Sequence, residues 1–138
     1  MYLTVIIDVY SRYIVGWGLS NSLDAAESLA VVKKALSSYG VPEVINSDQG
    51  VQFSCKQSVG YLKDMGIRIS MDGKGRCLDN IYIERFWRTL KYQYIYLHPP
   101  KDGISLFYGI KTWIDKYHYR IHQGIELRMP ADLYKYVA

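Results

Sequence analysis

The sequence predicts an α/β fold, a mixed sheet flanked by helices, with elements in the order β-β-α-β-α-β-α-α-α. Three observations carry this. The chain opens on "YLTVIIDVY", rich in β-branched and aromatic residues and apolar on both faces, as a central strand requires. Short apolar runs then alternate with segments of helical period, separated by Gly40 and Pro42. The last third carries only helical patterns.

Taken in order, "DVYSRY" supplies turn residues, and "YIVGWGLS" reads as a second strand, antiparallel to the first because the connection is short. Ser22 or Asp24 can cap a helix through "DAAESLAVVKKALSSYG", whose Ala26, Leu29, Val32 and Leu36 share one face and which Gly40 ends. Pro42 blocks its continuation, and "VPEVINSD" is a short strand. "CKQSVGYLKDMG" is a helix and "IRISM" a strand, and the glycines of "DGKGRCLDN" mark a loop. From Asn80 one long helix covers "IYIERFWRTLKYQYIY" until Pro99 and Pro100 stop it. "ISLFYGIKTWIDKYHYRIH" is a further helix, and "PADLYKYV" a last one with Pro130 in its first turn. The expected organisation is one domain over residues 1–138, with a helical C-terminal tail from about residue 103.

Composition narrows the function classes. No apolar run approaches the roughly 20 residues of a membrane span, and "MYLTVIIDVY" lacks a basic leader, so a cytoplasmic protein without a membrane partner is expected. Cys55 and Cys77 form no C-x-x-C pair and read as idle thiols of a reducing compartment. Lys and Arg total 17 against 13 acids, a net charge of +4, and the bases outnumber the acids from Arg85 to Arg128. A polyanionic partner is mildly favoured.

Two carboxylates stand out. Asp48 lies at the end of "EVINSD", where functional groups of α/β sheets gather, and Glu84 lies in the first turns of its helix. Brought together, they are hard oxygen ligands suited to Mg²⁺ or Mn²⁺. The plainer alternatives are an Asx turn at Asp48 and a surface Glu84 paired with Arg88. Glu84, Arg88 and Lys91 share one helix face with Tyr92 beside them, which suits a phosphate-binding strip as well as an ordinary solvated face. Phe86, Trp87 and Leu90 should pack inward. His118 and His122 stand one helical turn apart without a cysteine pair to complete a zinc site, so a polar face or a backbone contact to DNA is expected of them.

"VIIDVYSRYIVGW", "NSDQGVQF", "SMDGKGRCLDNIYIERFWRTLK" and "HQGIELRMPADLY" occur in an order and spacing that resemble the catalytic core of bacterial insertion-sequence transposases, which are similar to retroviral integrases. The resemblance covers essentially the whole chain. It implies an RNase H-like fold, a DDE metal site using Mg²⁺ or Mn²⁺, and cleavage and transfer of DNA strands at transposon ends and target by homo-oligomers. Asp48 matches the second catalytic Asp and Glu84 the final Glu, with the 35 intervening residues that this family favours. Asn80 belongs to the D-N pair that supports entry to the Glu84 helix, and Arg88 and Lys91 match positions that approach DNA.

Three departures accompany the match. Ile121 replaces a proline in the family's R-P-H-Q tail, and Asn46 stands where many members carry His. The first strand, with its T-D-I-T-like segment and first catalytic Asp, is missing, so the chain reads as N-terminally truncated. Asp8 matches a position with a structural role, turn capping or pairing with Arg12, and Asp72 and Asp79 are weaker substitutes. The expectation is weak metal binding, no nicking or joining by this chain alone, and dimerisation through exposed strand edges. The alternative is a non-enzymatic nucleic-acid-binding or multimerising remnant of a transposase.

Overall fold

The computed structural model describes residues 1–47, 55–71, 81–120, 122 and 128–137. Its elements follow the expected order: β1 (Tyr2–Ile7), β2 (Ile14–Ser20), α1 (Ala25–Tyr39), β3 (Val44–Ser47), α2 (Lys56–Asp64), β4 (Arg68–Met71), α3 (Ile81–Leu90), a π-helical turn (Lys91–Ile95), α4 (Gly103–His118) and α5 (Pro130–Val137). The chain divides into two compact units. One comprises Met1–Ile6 with Gly16–Ile81, the other Ile7–Val15 with Tyr82–Ala138.

In the first unit, Asp24 caps α1 by accepting the Ala26 N–H at Oδ1 (3.1 Å), and Gly40 ends the helix at φ 93°, returning its N–H to the Leu36 carbonyl at 3.0 Å. Leu29, Val32 and Leu36 are buried as their spacing requires, whereas Ala26 is exposed at the outer edge of the first turn. The two glycines of "GWG" explain how closely α1 lies on β2. A Cβ at Gly16 would stand 3.0 Å from the Ala35 Cβ, and one at Gly18 would stand 2.6 Å from Val31 Cγ2. Val32, Leu36, Leu62 and Ile67 form the core here, with Ile6, Ile45, Tyr61 and Ile69 packed against it. Roughly 1.5–3 kcal/mol per fully buried aliphatic side chain makes this cluster the main stabiliser of the unit.

The α/β expectation holds, with small sheets: among the described residues the strands form two two-stranded ladders, β1 with β2 and a parallel β3 with β4. Ile6 of β1 and Ile45 of β3 share a core. A shared core asks only for side-chain contact, whereas a ladder needs main chains about 4.8 Å apart. Within β1, Tyr2 is exposed and the other residues are half-buried rather than fully enclosed.

In the second unit, Phe86, Leu90, Ile110, Trp113, Ile114 and Tyr117 are buried. Phe86 meets the edges or faces of Trp113 (5.8 Å) and Tyr117 (5.4 Å), and Trp113 stacks on Tyr117 at 5.4 Å. Helix α5 packs on α4. Asp102 caps α4 through the Ser105 N–H (2.7 Å), which together with the Ser105 side chain holds its carboxyl below the usual range.

Candidate functional site

Helix α3 is amphipathic by a simple rule: Phe86 and Leu90, one turn apart, are buried, while Glu84, Arg85 and Arg88 are exposed. Trp87 is half-buried against Phe86 (5.6 Å), so it turns inward only in part. Glu84 sits in the first turn, where a negative charge favours the helix. Its carboxylate takes no hydrogen bond or ion pair among the described residues. The i+4 pairing with Arg88 is not made. The Arg88 guanidinium lies instead over the Tyr92 ring, 5.9 Å from its centroid.

One continuous α-helix from residue 80 to 96 was the sequence expectation, and the structure corrects it. Lys91–Ile95 form a π turn, with the Tyr96 N–H bonded to the Lys91 carbonyl at 2.9 Å. Contacts to α4 and to Arg120, just beyond its end, support the wider turn. Tyr94 packs on Gly109, where an added methyl would overlap its hydroxyl and approach Cζ to 2.8 Å. Arg120 Nη1 donates to Gln93 Oε1. Periodicity carries no sign of such a turn. The glycine at position 109, in the interior of α4, is the one hint that a neighbour comes close.

Asp8 serves the turn between β1 and β2. Its Oδ2 accepts from the Ser11 N–H (2.9 Å) and from the Ser11 hydroxyl (2.5 Å), and Ser11 is fully buried. Arg12, at φ 65°, donates its N–H to the Asp8 carbonyl (2.7 Å), but its guanidinium lies over Tyr82 at 3.7 Å rather than on the Asp8 carboxylate. Turn capping is therefore the role observed, and Tyr82 is a partner that the sequence did not reveal.

His118 also corrects an expectation. It is buried rather than on a polar face, stacks on Tyr13 at 3.8 Å, and accepts the Ile14 N–H at Nε2. Burial pushes it down to about 4, opposed by Asp115. His122 is half-buried beside the Tyr117 carbonyl (3.2 Å), and burial lowers it too.

Asp48 and Asn80 lie outside the described residues, as do Cys77, Asp72 and Asp79. Asn46, two residues before Asp48, ties β3 to β4 through Nδ2 to Ser70 Oγ (3.1 Å), and its buried Oδ1 accepts no hydrogen bond among the described residues. Those residues contain no group of three His, Cys, Asp or Glu placed to hold a metal. None of their helices is long and apolar enough to cross a membrane.

With this geometry in place, comparison with known proteins decides the family. Integrase core domain profiles match residues 1–77 and 65–130. The chain belongs to the integrase core domain family. Among its relatives, the transposase for insertion sequence element IS904 of Lactococcus lactis is 31% identical over 99% of this chain and 55% of its own length. The transposase InsF for insertion sequence IS3A of Escherichia coli is 33% identical over 70% of the chain and 34% of its own length. This chain thus spans about half or less of the length of these transposases. The catalytic core domain of HTLV-2 integrase, solved in complex with magnesium in a trimeric form, superposes with a TM-score of 0.72 at 18% identity, covering 96% of this chain and 83% of that one. That likeness shows the fold, the RNase H-like α/β architecture of integrase cores.

Proposed function

We propose that this integrase core is the strand-transfer portion of a DDE-type insertion-sequence transposase, acting on transposon ends and target DNA. The observation that carries the reading is the exposed face of α3, where Glu84 makes no ion pair among the described residues and stands one turn before Arg88, in a chain related over nearly its whole length to an insertion-sequence transposase. Asp48 and Glu84 are the carboxylates that would hold Mg²⁺ or Mn²⁺, and their oxygen donors fit such hard cations. Held by Asp48 and Glu84, such a cation would supply activation of a water and stabilisation of the leaving oxygen of a phosphodiester. Arg88 and Lys91 neutralise backbone phosphates and fix the duplex beside Glu84. Asn80 supports entry of the chain into α3.

Asp8 caps the β1–β2 turn by accepting two hydrogen bonds from Ser11 at Oδ2, which favours a structural role over that of a third ligand. This favours weak metal binding by the present residues, and it supports a second reading in which the chain binds nucleic acid and multimerises without cutting. Among the described residues β1–β2 and β3–β4 form separate ladders, an arrangement that suits homo-oligomeric pairing along strand edges.

The test uses a labelled transposon-end duplex with Mn²⁺. Binding is expected to weaken with salt, and the slope of log affinity against log salt should fall by about 0.9 for each of Arg88→Ala and Lys91→Ala. Unchanged slopes would remove the phosphate strip. No nicking is expected from this chain alone, and robust nicking lost in Glu84→Gln would show that the present residues complete a working metal site.

A further inference from the structure

We infer that Arg88, Tyr92 and Tyr96 form a stacking surface for unpaired nucleotides, leading away from Glu84 along one side of the helix. This rests on the DNA-acting role proposed above and names the form of DNA the site takes. The three side chains make a contiguous ladder. The Arg88 guanidinium lies 5.9 Å from the Tyr92 centroid, and the Tyr92 and Tyr96 rings meet edge to face at 5.3 Å.

The π turn builds this alignment. Four residues along an α-helix overshoot one turn, so side chains at i, i+4 and i+8 drift around the axis. Four residues along the wider π turn fall short of one turn. The turn at Lys91–Ile95 therefore reverses the drift, and Tyr96 returns beside Tyr92. The support is firm, because Tyr94 is seated on Gly109 and Gln93 is held by Arg120.

Exposure and charge select the ligand. Tyr92 and Tyr96 are 62% and 60% exposed, so each ring offers a face to a ligand. No Asp or Glu occurs from residue 85 to 101, while Arg85, Arg88, Lys91 and Lys101 do, so the surface is cationic and aromatic together. Single-stranded nucleic acid is recognised by that combination, with the backbone following the cations and bases stacking on rings. Paired bases inside a duplex are covered on both faces by their neighbours and have none free to offer. Tyr92 lies about 12 Å along the helix from Glu84. Bases stacked there would belong to a strand frayed a few nucleotides from the scissile phosphate.

The test compares fluorescence anisotropy of a labelled oligo-dT and of a blunt duplex, using the full 138-residue chain. Tyr92→Ala and Tyr96→Ala are expected to weaken oligo-dT binding about 10-fold each and blunt-duplex binding less than about 2-fold. Tyr92→Phe keeps the ring and should bind like the parent. Both sites are exposed, so melting temperatures serve as the folding control. Equal losses on both ligands, or none on oligo-dT, would overturn the inference while leaving the duplex reading intact. A shift in sedimentation without a change in oligo-dT affinity would assign the surface to a second copy of the chain. No binding to either DNA would overturn both readings together.

Discussion

The Nε2 of His118, at the end of α4, accepts a hydrogen bond of 3.0 Å from the main-chain N–H of Ile14, at the start of β2. The two residues stand 104 positions apart. An imidazole that accepts at Nε2 must be unprotonated there, and its ring is further enclosed by Tyr13.

This bond predicts an acid sensitivity. Folding lowers His118 from 6.5 to about 4. The unfolded chain therefore binds the extra proton between those values, so the stabilisation is complete above pH 6.5 and is lost as pH falls through 4. Its size is at most about 3 kcal/mol. Urea unfolding at pH 7, 5.5 and 4.5 should show the loss in the parent and a flatter profile in His118→Phe. At pH 7 that variant should be less stable by about 1–3 kcal/mol, since the Ile14 N–H loses its acceptor. Parallel pH profiles in the two proteins would sink the assignment.

Gly109 predicts a second effect. Alanine inside a helix ordinarily gains about 1 kcal/mol over glycine. Here the methyl meets Tyr94, and overpacking costs about 1–3 kcal/mol. Gly109→Ala should thus lower stability or leave it unchanged, and the same change in a Tyr94→Ala background should raise it. A coupling near zero in that double-mutant cycle would show that Tyr94 does not press on Gly109.

Asp8 offers a third. Asp8→Ala removes both acceptor bonds to buried Ser11 and should cost about 1–3 kcal/mol in chemical denaturation. Any protection from heat unfolding that Mn²⁺ gives the parent should persist in this variant and vanish in Glu84→Gln. Loss of Mn²⁺ protection in Asp8→Ala with unchanged stability would make Asp8 a metal ligand instead.

Much of this was legible in the chain itself. Ser22 or Asp24 and Gly40 marked the ends of α1, Asp24 proving to be the cap, Pro130 marked the start of α5, and the spacing of Phe86 and Leu90 showed which side of α3 turns inward. These are local matters of capping, φ restriction and period, so short stretches of sequence suffice. The motifs around Asp48 and Glu84 likewise pointed to the integrase core family, which the matches to residues 1–77 and 65–130 establish.

What only the tertiary structure decided depends on partners remote in sequence. Arg12 goes to Tyr82, His118 to Ile14, Tyr94 to Gly109, and Gln93 to Arg120. Nothing in the local pattern distinguishes a buried histidine from a solvated one, or an α turn from a π turn. The desolvation around His118 and the close seat beneath Tyr94 arise only when distant segments pack. Periodicity places Glu84, Arg88 and Lys91 on one face, and only the folded chain shows Arg88 over Tyr92 and Tyr92 against Tyr96.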